Sequence, residues 1–562
     1  MSYDIFKRLT GSSEFGKLES CIRGRVTPCS VFGLPESAKA HMAAAIRNKL
    51  QRPVLFITYT EQRAEKTAQD LSYYLKTDVP VFPSQPNPLW QGIESNELSV
   101  SRARVLNNLL KGNPIAVASI ESIMNPLCPR QMYENCRVTL AVGDRIELDD
   151  LTAFAQKAGY INAPVVETRG QFSLRGGIFD IFPPDADAPF RIELFDDEVD
   201  SIRTFSPETQ RSQSKSDRVT LMPAREMVLN QDLRARTVDI LKMQLNHYQK
   251  KRNSSLLQDR FAEIIEGVEN GTFNNYVSLL PFIYEKPEHI WDYMSSPIIF
   301  IDEPKRVRER AEGVQLEFEE SFKSMLEEGR VLPAQAKVMT EYSNMVASMS
   351  GLQIVTFMML TAANPDFAPK AMFTFSAKAM MSFGGREEPF VKEVANYLEW
   401  GYTLAIIGGG IHKCKRIEQR LGEAGIHAGE RLYIIPGEIT GGFEYPDIKF
   451  AVIADQDIFG SHMAKVRKKT RSQRMAAFVD LAKGDFVVHE THGIGIYEGI
   501  VSLATDGVQK DYLSIRYNGT DRLYVPVENM DVVQKYIGVS EHPPSLSRLG
   551  GQEWNNTKRK VK

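Results

Sequence analysis

The sequence has few cysteines for its length. Its 562 residues include five, at Cys21, Cys29, Cys128, Cys136 and Cys414. None lies in a CxxC pair or at metal-ligand spacing from a histidine. We therefore read all five as reduced thiols, and the sequence predicts neither a disulfide scaffold nor a metal site.

Long apolar runs and an excess of positive charge are also lacking. No segment approaches the ~20 consecutive apolar residues that cross a bilayer, and the first residues lack the charged start and apolar stretch of a signal peptide. We therefore expect a cytoplasmic protein without membrane contact. A formal net charge of -3 argues against nucleic-acid binding over the whole surface, because phosphate neutralisation needs clustered lysine and arginine.

What the sequence does contain is enough apolar material for several cores. With 43% hydrophobic and 25% charged residues, a chain of this length suggests roughly four domains. Buried-strand patterns at 54–59, 114–118 and 297–301, with an amphipathic helix over 61–75, predict an α/β domain with a mostly parallel sheet. Similar strands at 402–407 and 449–454 predict a second α/β domain.

Two further regions have β patterns of another kind. Short alternating segments over about 140–225 predict an antiparallel β-rich insert, after which helical spacing returns. Dense short strands over 484–536 predict a small SH3-like or Tudor-like β-barrel with an open edge strand. The predicted limits are 1–135 and 229–348 for a discontinuous first domain, 136–228 for its insert, 349–457 for the second α/β module, 458–482 for a basic helical linker, 483–545 for the barrel and 546–562 for the start of another linker.

The segment 33–40 has the length and position of a phosphate-binding loop, from Gly33 to Lys39. A working loop needs a second glycine, so that backbone N–H groups wrap the phosphates, and a Ser or Thr after the lysine to hold magnesium. Here Ala38 and Ala40 occupy those places. We interpret the loop as degenerate and inactive.

The acidic pair Asp302 and Glu303 ends a hydrophobic strand, which is where an ATPase places its magnesium-holding carboxylate. Because Ala40 cannot ligate the metal, we predict a structural remnant, although this pair keeps an ATPase open as the alternative. No complete dinucleotide fingerprint or catalytic triad can be assembled from local spacing, so we assign no catalytic residue.

The insert mixes arginines with phenylalanines, a composition suited to a protein interface. Arg175, Arg191 and Arg203 are the arginines concerned. Pattern alone favours solvated ion pairs, each worth under ~1 kcal/mol. The basic run over 465–474 is likewise read as a solvated connector helix, with a nucleic-acid contact as the alternative.

Four segments, 33–40, 175–184, 435–460 and 492–495, occur in the order found in the bacterial transcription-repair coupling factor (Mfd) family, which the chain resembles over essentially its whole length. The resemblance implies a first domain and insert similar to the excision-repair protein UvrB, with the ATPase chemistry lost and the insert kept as a docking surface for UvrA. It places Arg175, Arg191 and Phe195 on that surface and leaves Arg203 undecided.

The same resemblance implies that the carboxyl-terminal barrel is a CarD-like domain. Such a domain is expected to bind the RNA polymerase β subunit largely through an edge strand, with Leu503 as an apolar contact. In the family, the segment 549–554 leads into two motor domains with helicase motifs, whereas this sequence ends at Lys562. We therefore expect no cofactor for this chain, since ATP and magnesium, and most DNA contact, would belong to the motor.

The function implied is that of an adaptor in transcription-coupled excision repair, which binds stalled polymerase and recruits UvrA. Two alternatives remain open at this point: a UvrB-like ATPase, and a CarD-type transcription regulator that uses only the barrel. The resemblance assigns no activity to the 349–457 module.

Overall fold

A computed structural model describes residues 4–460, except 86, 90–95, 113, 250–254, 271–272, 274 and 362–363, together with 484–489, 493–505, 508–518, 521–526, 533–535 and 546. Contacts divide the chain into two units, residues 1–464 and 465–562. Within the described ranges, no helix combines the length and the apolarity that crossing a membrane requires. The predicted basic helix at 465–474 lies outside the described residues.

The secondary structure alternates between helical and β-rich regions along the chain. The α-helices are α1 Lys7–Thr10, α2 Ser13–Arg23, α3 Glu36–Leu50, α4 Glu61–Leu75, α5 Asn96–Leu109, α6 Ile120–Ile123, α7 Arg130–Asn135, α8 Leu148–Lys157, α9 Gln231–Gln249, α10 Ser255–Asn270, α11 Leu280–Ile283, α12 Pro304–Glu327, α13 Tyr342–Ser348, α14 Glu387–Glu399, α15 Ile411–Glu423 and α16 Asp455–Phe459.

The strands of the first unit are β1 Cys29–Phe32, β2 Val54–Thr58, β3 Val81–Phe82, β4 Ile115–Ser119, β5 Val138–Ala141, β6 Ile161–Asn162, β7 Gln171–Arg175, β8 Ile178–Ile181, β9 Phe190–Phe195, β10 Glu198–Phe205, β11 Ser212–Ser216, β12 Arg218–Leu221, β13 Ile298–Asp302, β14 Gln353–Met358, β15 Ala371–Thr374, β16 Lys378–Ala379, β17 Thr403–Ile407, β18 Leu432–Ile435, β19 Phe443–Tyr445 and β20 Phe450–Ala454. Those of the second unit are β21 Phe486–His489, β22 Gly493–Thr505, β23 Val508–Arg516, β24 Arg522–Pro526 and β25 Val533–Lys535.

A seven-stranded parallel sheet forms the first domain, in the order β15-β1-β14-β13-β2-β4-β3. It confirms the predicted parallel sheet and its strands β2, β4 and β13. The predicted domain limit between 348 and 349 falls inside this domain, because β14 pairs with β1 and β13, and β15 pairs with β1. Periodicity identifies a buried strand but does not reveal which sheet the strand joins, so the sequence could not place these two.

The insert is a six-stranded sheet in the order β11-β10-β9-β8-β7-β6. Its neighbours are antiparallel, as predicted, except that the short β6 runs parallel to β7. One face carries the apolar side chains of Phe172, Phe179, Ile192 and Ile202, all at most 1% exposed. The alternation of strand residues therefore leaves the opposite face for polar and charged side chains.

The second α/β module has a five-stranded sheet in the order β16-β19-β20-β17-β18. Strand β17 is parallel to both β18 and β20, whereas β19 is antiparallel to β20. Side chains of α14, α15 and α16 share a core with one face of this sheet. The other face packs on the first domain.

Helix α3 lies where those two sheets meet. Ten of its 15 residues are buried, and its alanines share one core with residues of the first sheet such as Val31 and Phe300 and of the second such as Phe443 and Val452. Small alanine side chains on several sides of the helix allow both sheets to pack against it. Burial lowers the pKa of His41 on this helix to about 4, so its ring is neutral at pH 7.

A buried carboxyl group joins α4 of the first domain to the second module. The backbone N–H of Thr440 donates to Asp70 at 2.7 Å, and the Thr440 hydroxyl lies 2.6 Å from the other carboxyl oxygen. Nearby, Gly437 has a φ of 143°, and a Cβ there would lie 2.0 Å from a ring carbon of Tyr73. Burial raises the pKa of Asp70 to about 7.

The second unit is a five-stranded antiparallel sheet in the order β24-β23-β22-β21-β25. Its buried residues are Val487, Tyr497, Leu513, Ile515, Tyr517 and Val525. The described strands agree with the predicted dense β segment, and closure into a barrel remains a prediction.

The raised pKa of Asp70 predicts a pH-dependent stability. Between its ordinary value of 3.8 and its folded value of about 7, the folded chain keeps a proton that the unfolded chain has released. The free energy of unfolding therefore falls as pH rises through this window. Asparagine mimics the protonated group, so the free energy of unfolding of Asp70→Asn should not show this fall. Relative to that of the parent, it should rise by on the order of 3 kcal/mol between pH 4 and pH 8. Urea unfolding of both proteins measures this, and parallel pH profiles would contradict it.

Candidate functional site

The lysine of the loop over 33–40 forms ion pairs with the two carboxylates that we predict to be an inactive remnant of a magnesium site. Lys39 Nζ lies 2.6 Å from Asp302 Oδ1 and 2.6 Å from Glu303 Oε1, and the Lys39 side chain is 3% exposed. Arg63 donates to the remaining oxygen of Asp302 at 3.2 Å and to Glu36 at 2.5 Å. Each charged group of this cluster therefore has an oppositely charged partner within the protein.

The loop backbone is also covered by protein. Gly33 has a φ of +79°, and a Cβ there would lie 2.3 Å from the carbonyl oxygen of Phe375. Ala377 donates its N–H to the Gly33 carbonyl at 3.2 Å, and the Ser37 hydroxyl donates to the Gly442 carbonyl at 3.2 Å. The Gly33 carbonyl and the Ser37 hydroxyl therefore contact the segment after β15 and the second module.

The outer face of the insert brings the predicted UvrA-contacting residues together. Cross-strand pairing aligns Asp180 with Arg191, and Arg191 with Arg203. Because side chains on a strand alternate between faces, Arg175 on β7 and Phe195 on β9 lie on this same face. We call the face that carries Arg175, Asp180, Arg191, Phe195 and Arg203 the outer face.

Asp180 is the fully buried centre of the outer face. Its carboxylate accepts two hydrogen bonds from Arg191, at 2.8 and 2.9 Å, and one from Arg175 at 2.6 Å. These bonds raise the pKa of the Arg191 guanidinium above its usual range. The Arg191 side chain is 15% exposed and that of Arg175 is 48% exposed. Arg191 is thus mainly a structural partner of Asp180, whereas Arg175 can also contact another molecule.

Phe195 is 81% exposed. It ends β9, immediately before Asp196, whose φ of 60° starts the turn into β10. Aromatic residues are enriched at protein interfaces, which makes this ring a candidate contact. Arg203, which the sequence left undecided, lies 3.5 Å from Glu193.

Sequence reasoning missed Asp180, although a signal was present. Its neighbours Phe179 and Ile181 are apolar, so the aspartate interrupts a strand that is otherwise suited to burial. Buried carboxylates require ionic or hydrogen-bonding partners, and the two arginines of the same sheet supply them.

Leu503 lies on a long β-hairpin of the second unit, where its Cα pairs with that of Lys510. Strand β21 pairs with β22 only over Gly493–Ile496. Among the described pairings, the later part of β22 therefore bonds to β23 alone and leaves one edge available. Such an edge can accept a strand from another protein.

Comparison with known proteins places two of these regions in described families. Residues 138–227 match the UvrB interaction domain, and residues 481–537 match the CarD-like/TRCF RID domain. The transcription-repair-coupling factor of Bacillus subtilis (strain 168) is 32% identical over 552 residues, which cover 94% of this chain and 47% of that protein. Those of Staphylococcus aureus strains MRSA252 and NCTC 8325 / PS 47 are each 31% identical with the same coverage.

Over 94% of its length, the chain is thus similar to part of the transcription-repair-coupling factors. It spans about half the length of these relatives. The match to the UvrB interaction domain contains the whole outer face, and the match to the CarD-like domain contains Leu503. The predicted contact residues themselves remain predictions, because the family matches do not identify individual contacts.

Two arginines of the outer face share one carboxylate, and replacing each with alanine should lower the free energy of unfolding by a different amount. Arg191→Ala leaves the buried Asp180 without its main partner and should destabilise the insert by about 3 kcal/mol. Arg175→Ala removes a half-exposed partner and should cost under ~1 kcal/mol. Urea unfolding of the two variants measures the difference. Equal costs would contradict the structural role assigned to Arg191.

Proposed function

We propose that this chain is an adaptor in transcription-coupled nucleotide-excision repair. The carboxyl-terminal unit would bind the β subunit of a stalled RNA polymerase, and the insert would recruit UvrA to the lesion. The observation that carries the proposal is the exposed Phe195 on the arginine-bearing outer face, inside the region that matches the UvrB interaction domain. In the complete protein, an ATP-driven motor would displace the polymerase and make most of the DNA contact.

The outer face supports a protein partner through its combination of groups. Phe195 supplies exposed apolar area, and the half-exposed Arg175 side chain lies on the same face. Interface hot spots are enriched in aromatic residues and arginine. Arg191 and Asp180 would contribute by fixing the sheet on which Arg175 stands. We therefore assign UvrA contact to Phe195 and Arg175, and a positioning role to Arg191.

Truncation of Phe195 tests the UvrA contact. Loss of a hot-spot aromatic costs at least about 2 kcal/mol, which is about 30-fold in affinity. Because Phe195 is 81% exposed, Phe195→Ala should lower UvrA affinity to this extent without lowering the stability of the chain.

The matched control is Leu316→Ala, which removes another exposed apolar side chain, 58% exposed on α12. Calorimetric titration of UvrA into the parent and into each variant measures the affinities. Parental affinity in Phe195→Ala would overturn the assignment.

For the second unit, we infer a small SH3-like or Tudor-like barrel that binds polymerase by strand addition. The hairpin of β22 and β23 supports this inference, because one edge around Leu503 has no strand partner among the described pairings. Main-chain hydrogen bonds along such an edge give affinity, and adjacent side chains give specificity. A protein that works on RNA polymerase and UvrA would act in the bacterial cytoplasm.

A charge placed on that edge tests the polymerase contact. Leu503→Arg should lower affinity for the polymerase β subunit by about 30-fold or more, because an apolar contact is replaced by a desolvated cation. Tyr524→Ala on β24, whose side chain is 43% exposed, serves as the control on another strand and should bind as the parent does. Quantitative pull-down with the isolated β subunit compares the three proteins. Unchanged binding by Leu503→Arg would show that the interface lies elsewhere.

We further infer that this chain is not itself an ATPase. The charges of Lys39, Asp302 and Glu303 are already paired with one another, and the loop from Gly33 is covered by residues of two other segments. Nucleotide entry would require these contacts to break. The CarD-type regulator predicts no role for the insert, so UvrA binding by the parent also distinguishes that alternative.

A further inference from the structure

The second α/β module has no function in the proposal above. The carboxyl ends of its parallel strands nevertheless have the features of a ligand site. The chain passes from β17 through α15 to β18 on one side, and later returns to β20 on the other side of β17. The order of parallel strands thus reverses at β17. Open α/β sheets bind ligands outside the carboxyl ends of their strands at such reversals.

A glycine loop follows the carboxyl end of β17. Gly409 has a φ of +77°, and a Cβ there would lie 2.9 Å from Lys413 Cδ and 3.1 Å from Asp455 Oδ2. Helix α15 begins directly after Gly410, and no side chain caps its first N–H groups. Uncapped N–H groups and the helix dipole together favour an anion.

Asp455 supplies an independent sign of a ligand. It follows β20 directly, its side chain is 10% exposed, and its Oδ2 lies 2.9 Å from Lys413 Nζ. Its other oxygen, Oδ1, is buried without a hydrogen-bond partner in the described part of the chain. A buried carboxylate oxygen normally accepts a hydrogen bond, since leaving it unpaired is costly. The missing partner is therefore a hydrogen-bond donor.

We propose that the carboxyl ends of β17 and β20 form a site for a small phosphorylated ligand that carries a hydroxyl group. The ligand would be of the sugar-phosphate or nucleotide class. The phosphate would lie at the first N–H groups of α15 and beside Lys413, whose charge offsets that of Asp455. The hydroxyl would donate to Asp455 Oδ1. The site is separate from the degenerate loop of the first domain and does not depend on the adaptor function.

Calorimetric titration of the whole chain with ribose 5-phosphate, AMP, inorganic phosphate and ribose tests the site. Ribose 5-phosphate should bind more tightly than inorganic phosphate, and ribose should not bind. A tighter AMP complex would identify the ligand class as nucleotides, and equal or weaker AMP binding would identify it as sugar phosphates. Absence of binding by both phosphorylated sugars at millimolar concentration would overturn the proposal.

Two variants locate the binding. Lys413→Ala should lower the affinity for the phosphorylated compounds by at least about tenfold. The control Lys392→Ala removes an exposed lysine of α14 in the same module and should leave this affinity unchanged. Asp455→Asn should abolish the difference in affinity between ribose 5-phosphate and inorganic phosphate. Because Lys413 is half-exposed, its variant tests the site even if Asp455→Asn misfolds. Binding that Lys413→Ala leaves unchanged would place the ligand elsewhere and overturn the proposal.

Discussion

The first unit depends on the burial of helix α3 between two sheets. Alanines along this helix allow both sheets to approach it closely, and the Tyr445 hydroxyl reaches the Ala38 carbonyl at 3.4 Å. Larger or polar residues at the same places would separate the sheets or leave buried groups unpaired. The packing of the second module, the position of Lys39 and the closure of the loop all follow from this arrangement.

Ala38 and Ala40 therefore have two consequences at once. They remove the groups that would bind phosphate and magnesium, and they supply the small apolar surface on which the second module packs. The charged groups that remain, Lys39, Asp302 and Glu303, form ion pairs with one another. The first domain carries the insert, whose outer face presents Phe195 and Arg175 to solvent. In this account, the chain uses a nucleotide-binding architecture as a scaffold for docking.

Local patterns predicted the α/β sheets and the antiparallel insert, because buried strands and amphipathic helices have distinct periods. The inactivity of the loop over 33–40 stays a prediction, which depends on the single residues Ala38 and Ala40. Local patterns could not assign β14 and β15 to the first sheet, which is a matter of long-range pairing. Nor could they separate the partly buried Arg191 from the exposed Phe195, or show that Asp455 Oδ1 lies buried and unpaired, because burial depends on which segments pack together.

Hydrogen–deuterium exchange with and without magnesium-ATP tests the central claim that α3 is now a packing element. The account predicts that the α3 amides exchange among the slowest in the chain, and that millimolar magnesium-ATP leaves the exchange of residues 33–40 unchanged. Rapid exchange in α3, or protection of 33–40 by magnesium-ATP, would contradict it.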